Sequence, residues 1–169
     1  MQNHKQLIGG PGIIVEIDES KFGKRKYHRG HRVDGAWVFG GIERTPEKRV
    51  FAQIVEDRTE ATLLRVIEEN IHPESIIHSD LWKRYQNISN YLDMQHETVN
   101  HSQHFKDPET GVLTNTIEGI WNGFKIAIPS RNRSKDNLDQ RLLAKIWRRV
   151  NNDNLWNMFL TCLRETVVN

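Results

Sequence analysis

Cysteine and long apolar segments are the scarcest features of this chain. Cys162 is the only cysteine among 169 residues, which excludes an intramolecular disulfide and any zinc site built from several cysteines. No run of about 18 apolar residues occurs, and the amino terminus lacks the charged-then-apolar pattern of a signal peptide. These absences predict a soluble, non-secreted protein that works in the nucleus if its source is eukaryotic and in the cytoplasm if it is bacterial.

Neither sign of charge dominates the composition. The chain has 24 Lys and Arg against 22 Asp and Glu, a net charge of only +2. The overall charge therefore does not indicate a nucleic-acid-binding protein, and such a function must be argued from local clusters. The length fits one domain. Because residues 1–12 are polar and glycine-rich, they are expected to form a tail or linker that precedes a single domain at 13–169.

Hydrophobic periodicity predicts a mixed sheet covered by helices. Five short runs are predicted as strands, at residues 13–18, 36–42, 49–56, 75–80 and 94–101. Apolar residues at helical spacing predict a helix at about 59–70, a short helical turn at 81–85 and three helices in the last third. Trp121, Trp147 and Trp156 lie on apolar faces of those last helices, where core packing is expected. The order of elements is that of an α/β, ribonuclease H-like fold with five strands, flanking helices and extra C-terminal helices.

Three acidic residues lie on different predicted elements: Asp18 at the end of the first strand, Asp80 at the end of the fourth, and Glu118 on a helix. Cleavage and rejoining of a phosphodiester require two divalent ions about 4 Å apart. Because Mg²⁺ is usually held by a few carboxylates together with water and substrate phosphate, three acids from distant segments are enough to build such a site.

Other roles are open for each acid. Asp18 can simply end a strand, Asp80 can cap the turn that follows it, and Glu118 can close a capping box with Asn115. Glu16 and Glu19 flank Asp18 and are rival metal ligands, and spacing alone does not choose between them.

The amino-acid sequence around these acids is a more specific signal of function than their spacing. Four segments follow one another across about residues 14–128: VEIDESKFGKRKYHRGHRVDGAWVFGGIER, VEDRTEATLL, IIHSDLWKRY and VNHSQHFKDPETGVLTNTIEGIWNGFK. Together they resemble the DDE transposase catalytic domain of the Merlin superfamily and of related bacterial insertion-sequence transposases. The resemblance places the family's acidic triad on Asp18 in VEIDES, Asp80 in HSDLWKRY and Glu118 in TNTIEG.

The same resemblance implies a function. It implies two Mg²⁺ or Mn²⁺ ions, hydrolytic nicking at transposon ends, and attack of the freed 3′-hydroxyl on target DNA, carried out by a homodimer on double-stranded DNA. The family usually carries an N-terminal DNA-binding region, for which residues 1–12 leave no room. We therefore keep as an alternative a domesticated, catalytically silent DNA-binding or interaction module derived from a transposase.

Basic residues near the acids are candidate contacts for DNA phosphates. One cluster follows Asp18 and contains Lys21, Lys24, Arg25, Lys26, Arg29 and Arg32. A second loop, with Arg131 and Arg133, follows the helix of Glu118, and Lys125 lies on that helix seven residues after Glu118. The first cluster is also compatible with a solvated hairpin or a nuclear-import signal.

Overall fold

A single five-stranded sheet forms the centre of the molecule. The computed structural model describes residues 7–23, 35–99, 114–129, 132–133 and 135–167. The strands lie side by side in the order β3-β2-β1-β4-β5. Their bounds are β1 Ile14–Phe22, β2 Ala36–Glu43, β3 Val50–Val55, β4 Ile76–Asp80 and β5 Gln95–Val99.

The sheet is mixed, as predicted. β1 pairs antiparallel with β2, and β2 with β3, whereas β1 with β4 and β4 with β5 are parallel. β1 is therefore the central strand, with β4 beside it and both strands running in the same direction. Side chains near the carboxyl ends of β1 and β4 are brought to one edge of the sheet.

Helices cover both faces of the sheet. Their bounds are α1 Glu60–Asn70, α2 Ile88–Leu92, α3 Asn115–Ala127, α4 Lys135–Val150 and α5 Leu155–Val167, with a 3-10 turn at Lys83–Tyr85. Buried residues of α1 and α2 share one core with β1, and those of α3 and α4 form a second core on the other face. This arrangement confirms the predicted α/β, ribonuclease H-like architecture.

The alternation of β1 decides which side chains face α3. Val15 and Ile17 are buried in the core on the α1 side, and Phe22 is buried in the core on the α3 side. Since successive side chains of a strand point to opposite faces, Glu16 and Asp18 face α3, as their hydrogen bonds to that helix show. The alternation of residues 13–18 in the sequence predicts this division, with Val15 and Ile17 on one face and Glu16 and Asp18 on the other, and the structure confirms it.

Three details of the sequence prediction are wrong. β1 does not end at Asp18 but continues to Phe22, because its pairing with β2 extends to Ala36. Asp18 is therefore an interior strand residue. The spacing of Asp57 and Glu60 in the sequence predicts a capping box at the start of α1, but the N-cap is Thr59, and the Asp57 carboxylate accepts the Thr59 amide. Trp156 does not pack in the core, since 69% of its surface is exposed on α5.

Two further observations concern the ends of the described chain. Ile8, within the segment predicted as a linker, is buried and bridges to Ile71. β5 ends at Val99, and the last two residues of the predicted fifth strand, 100 and 101, lie outside the described residues. No helix in the described part of the chain is long and apolar enough to cross a membrane.

Candidate active site

Asp18 and Asp80 occupy the same face of neighbouring strands. Glu16 of β1 lies opposite His78 of β4 in a parallel register, and each acid follows its strand's paired residue by two positions. Because the side-chain period of a strand is two, both carboxylates lie on the α3 face, near the carboxyl end of β4. They interact electrostatically, since the charge of Asp80 contributes to the raised pKa of Asp18. The structure thus brings two of the three predicted acids together.

The Asp18 carboxyl group is unusually reluctant to ionise. Burial, followed by the neighbouring charge of Glu19, raises its pKa from 3.8 to about 7, and Asp80 acts in the same direction. The indole of Trp121 donates a hydrogen bond from Nε1 to Asp18 Oδ2 at 3.0 Å, which partly offsets this effect. The neighbouring acids thus disfavour ionisation of Asp18, and a cation bound beside them would favour it.

Gly40 makes the approach of Trp121 possible. Gly40 of β2 lies directly opposite Asp18 in the sheet. A Cβ atom at Gly40 would lie 2.7 Å from Cη2 of Trp121 and 2.6 Å from the carbonyl oxygen of Phe51. Neither approach is tolerable, so the absence of a side chain at this position lets the indole lie against the sheet and reach Asp18.

Glu118 lies one helical turn from that contact. It is exposed in the first turn of α3, three residues before Trp121. Residues three apart on a helix have Cβ atoms about 5–6 Å apart on the same face. Among the described residues, however, no three acidic, histidine or cysteine side chains lie close enough together to hold an ion as they stand. The structure therefore places Glu118 one helical turn from Trp121, the residue that contacts Asp18, and its membership of the site stays a prediction.

Glu16, one of the two rival ligands, has a structural role. Its side chain is fully buried, and Oε1 accepts a hydrogen bond from Arg44 Nε at 2.7 Å. Oε2 accepts the backbone amides of Thr116 at 2.9 Å and Ile117 at 3.0 Å. A carboxylate that accepts amides in the first turn of a helix takes the place of an N-cap side chain and is favoured by the helix dipole. Glu16 thus fastens the start of α3, and with it Glu118, to β1.

Glu19, the other rival, faces away from α3. It accepts a hydrogen bond from the hydroxyl of Tyr85 and another from Arg58 Nη1 at 3.3 Å. Burial, and then the charge of Asp80, raises the pKa of Glu19. Burial and the neighbouring Glu19 also raise the pKa of the Tyr85 phenol. Glu19 therefore adds negative charge near Asp80 from the α1 side of the sheet.

The structure describes only some of the residues predicted to contact DNA. Lys24, Arg25, Lys26, Arg29, Arg32 and Arg131 lie outside the described residues. Lys125 lies over the ring of Phe22 at 5.6 Å and interacts with the charge of Asp18, although burial and the nearby Arg133 lower its pKa. Arg133 donates hydrogen bonds to the carbonyl oxygens of Lys125 and, at 2.8 Å, Ile128. Arg133 therefore closes the C-terminal end of α3, and its role in binding DNA stays a prediction.

The three contacts that organise the site were missed from the sequence. The Trp121 indole was assigned to the core without a polar partner, Gly40 was not singled out, and Glu16 was taken only as a rival ligand. The partners in these contacts are up to 103 residues apart, so no local spacing marks them. Asp18 and Asp80, and Glu118 one helical turn from Trp121, offer carboxylate oxygens, which are the ligands that a hard divalent cation prefers.

Comparison with known proteins adds an independent observation. The chain matches the ISXO2-like transposase domain over residues 7–155. It is also 28% identical over 106 residues to a protein of Haemophilus influenzae described as an uncharacterized transposase-like protein. That alignment covers 62% of this chain and 84% of the relative.

Proposed function

The chain belongs to the ISXO2-like transposase domain family, and we propose that it is a DDE-type catalytic core that nicks DNA at transposon ends and transfers the 3′-hydroxyl strand into target DNA. Its substrate is double-stranded DNA. In this proposal Asp18 and Asp80 are the two aspartates of the site, and Glu118 supplies the third carboxylate.

One observation carries the proposal. Asp18 and Asp80 share a face of adjacent parallel strands and interact electrostatically, and α3 is tied to Asp18 by the Trp121 indole one turn from Glu118. At an effective dielectric near 20, two carboxylates about 4 Å apart repel by around 4 kcal/mol. A fold that keeps such acids together against this repulsion is explained by a cation that binds them.

Each residue has a defined task in this proposal. Asp18, Asp80 and Glu118 would hold Mg²⁺ or Mn²⁺, and such ions supply activation of the attacking oxygen and stabilisation of the leaving oxygen in phosphoryl transfer. Trp121 fixes the orientation of the Asp18 carboxylate through its Nε1 hydrogen bond. Glu16 holds the first turn of α3 against β1.

Strand cleavage is the first test. A labelled duplex incubated with the protein and Mn²⁺ should be nicked by the wild type, and the nicking should be lost in Asp18→Ala, Asp80→Asn and Glu118→Gln. Glu68→Gln, an exposed residue on α1, is the matched control and should remain active. Activity that survives all three substitutions at the proposed site would exclude these acids from catalysis.

Ion binding can be tested without catalysis. Mn²⁺ should raise the melting temperature of the wild type because it binds the folded state preferentially. At a concentration 100 times its Kd, such binding increases the free energy of unfolding by about 2.7 kcal/mol. Asp80→Asn should reduce this rise, and Glu68→Gln should not. The silent-module alternative predicts instead that the wild type and Asp80→Asn respond equally to Mn²⁺ and that neither nicks DNA, while duplex binding persists.

A further inference from the structure

Two tryptophans and three basic residues lie together near Asp80, at the carboxyl end of β4. We call this group the arginine–tryptophan patch, and its members are Lys21, Trp37, Arg58, Trp82 and Arg84. They come from four separate segments: β1, β2, the loop after β3 and the turn after β4. None of these segments adjoins another in the sequence, so the patch is a product of the fold.

Stacking on the indole rings organises the cations. The Arg58 guanidinium lies over both rings, 3.6 Å from the centroid of Trp37 and 5.0 Å from that of Trp82. Arg84 lies over Trp82 at 5.2 Å. Cation–π contacts of this kind hold a guanidinium by its face and leave its N–H edge available for hydrogen bonds.

Lys21 extends the patch along β1. Its Nζ lies 5.5 Å from the ring of Trp37, the residue opposite it in the β1–β2 register. Lys21 and Arg84 are both exposed. Neither forms an ion pair with a carboxylate in the described part of the chain, although the charge of Arg84 contributes to the lowered pKa of Asp57. Both cations are exposed and can contact an anionic partner.

The patch adjoins the acidic site. Trp82 follows Asp80 by two residues, and its backbone amide donates a hydrogen bond to Asp80 Oδ1 at 3.0 Å. Arg58 is in addition paired with Glu19, the neighbour of Asp18. Both tryptophans pack against the core on the α1 side of the sheet, the side that Glu19 faces, and the patch reaches Asp80 at the carboxyl end of β4. A polyanion that approaches Asp80 from that side therefore meets these basic groups first, where they offset the repulsion between phosphates and carboxylates.

We propose that the arginine–tryptophan patch binds the phosphodiester backbone of the DNA strand that leads into the acidic site. The identity of the partner rests on the proposed function. The patch binds phosphates rather than bases, because the indole rings already carry cations on their faces and stacking on a base requires an open ring. Contacts with phosphate position a strand without reading its sequence, so this surface fixes where the DNA lies, not which sequence is chosen.

Salt dependence of duplex binding tests the proposal. The affinity of the full chain for a labelled duplex is measured by fluorescence anisotropy in EDTA at several salt concentrations. Each phosphate contact contributes about 0.9 to the slope of log K against log salt. We expect Arg84→Ala to lower the slope by about 0.9 and Lys21→Ala/Arg84→Ala to lower it by about 1.8. Arg84→Lys keeps the charge and should retain the slope.

A second basic surface provides the matched control. Lys48, Lys145, Arg148 and Arg149 line a cleft of about 480 Å³ between the β2–β3 turn and α4. That turn follows Glu43, which pairs with Val15 at the start of β1, so the cleft lies away from the edge that carries Asp80. Arg148→Ala/Arg149→Ala removes the same charge as the patch double variant and should leave the slope unchanged.

Three results would overturn the proposal: an unchanged slope in Lys21→Ala/Arg84→Ala, an equal loss in Arg148→Ala/Arg149→Ala, or no duplex binding by the wild type. Folding is checked by the melting temperature of each variant. The rise in melting temperature with Mn²⁺, which tests the acidic site, should be the same in the patch variants as in the wild type. Failure of the patch and failure of the acidic site are therefore distinguishable.

Discussion

Replacement of Asp18 by asparagine is expected to stabilise the metal-free protein at neutral and alkaline pH. Burial, Glu19 and Asp80 raise the pKa of Asp18 from 3.8 to about 7, so the folded state disfavours the ionised carboxylate. Asparagine has nearly the same shape, carries no charge, and keeps an oxygen that can accept the hydrogen bond from Trp121. The substitution should thus remove an electrostatic penalty while it preserves the local packing.

The size of the effect follows from the pKa. At about 1.36 kcal/mol for each pKa unit, a change from 3.8 to about 7 corresponds to at most about 4 kcal/mol once the folded carboxyl is ionised. Solvent and counter-ions reach this partly exposed group and screen part of that cost. We therefore expect a gain of about 1–2 kcal/mol, which for a chain of this size raises the melting temperature by about 2–8 °C.

The pH dependence gives the sign. Because the folded pKa lies above the unfolded one, Asp18 binds its proton more tightly in the folded state, and its contribution to stability becomes less favourable as pH rises from 3.8 to about 7. The asparagine introduced by Asp18→Asn does not titrate, so the advantage of the variant should fall by more than half between about pH 8 and about pH 5.

Thermal melts in EDTA at these two pH values measure the effect. Asp139→Asn, which removes the same charge from an exposed position on α4, is the control and should change stability little at either pH. A melting temperature that falls in Asp18→Asn, or that rises equally at both pH values, would refute the proposed origin of the penalty.

Three other substitutions test the surrounding structure by thermal or urea unfolding. Gly40→Ala should destabilise the protein by about 1–3 kcal/mol through overpacking. The control, Gly123→Ala, has open space around its Cβ position on α3 and should stabilise the protein by about 0.5–1 kcal/mol. Equal effects of the two substitutions would contradict the tight contact at Gly40. Glu16→Gln should cost about 2–3 kcal/mol because it removes the buried charge that accepts hydrogen bonds from Arg44 and from the first-turn amides of α3. A neutral result would exclude Glu16 as the group that holds α3 to β1. Burial, and then the charge of a neighbouring histidine, lowers the pKa of His96 from 6.5 to about 4, so the contribution of His96 to stability should become less favourable as pH drops from 6.5 toward 4. His96→Gln should flatten that fall, and an identical pH profile would show that His96 does not cause it.

The parts of the fold that depend on local patterns could be predicted from the sequence. Alternation in residues 13–18 placed Glu16 and Asp18 on one face, and that face is the one on which α3 lies. Helical spacing likewise identified α3 and α4 by their buried residues. Each of these predictions uses only neighbours within a few positions, for which strand and helix periodicity is decisive.

The length of β1 could not be predicted in the same way. Residues 19–21 carry charged and polar side chains, and with Phe22 they precede the basic segment that was expected to form a loop. They remain in the strand because they pair with residues 36–39 of β2, and this pairing depends on register rather than on composition. Asp18 was therefore expected at a strand end, although it lies inside the strand.

The choice among the acids required the tertiary structure. Glu16 lies only two residues from Asp18 in the sequence, yet it is bound to Arg44, 28 residues away, and to the amide of Thr116, 100 residues away. These partners satisfy its carboxylate and leave the α3 face to Asp18. Spacing along the chain contains no information about such partners, because they are chosen by the packing of α3 on the sheet.

In the proposed active site, Asp18, Asp80 and Glu118 bind a divalent ion together. The most direct measurement is a crystal structure of the full chain grown with Mn²⁺, in which anomalous scattering at the manganese edge locates the ion. We expect an anomalous peak coordinated by oxygens of Asp18 and Asp80, with Glu118 turned toward it. Manganese bound elsewhere on the chain, with these carboxylates free of it, would show that the three acids do not form the ion site.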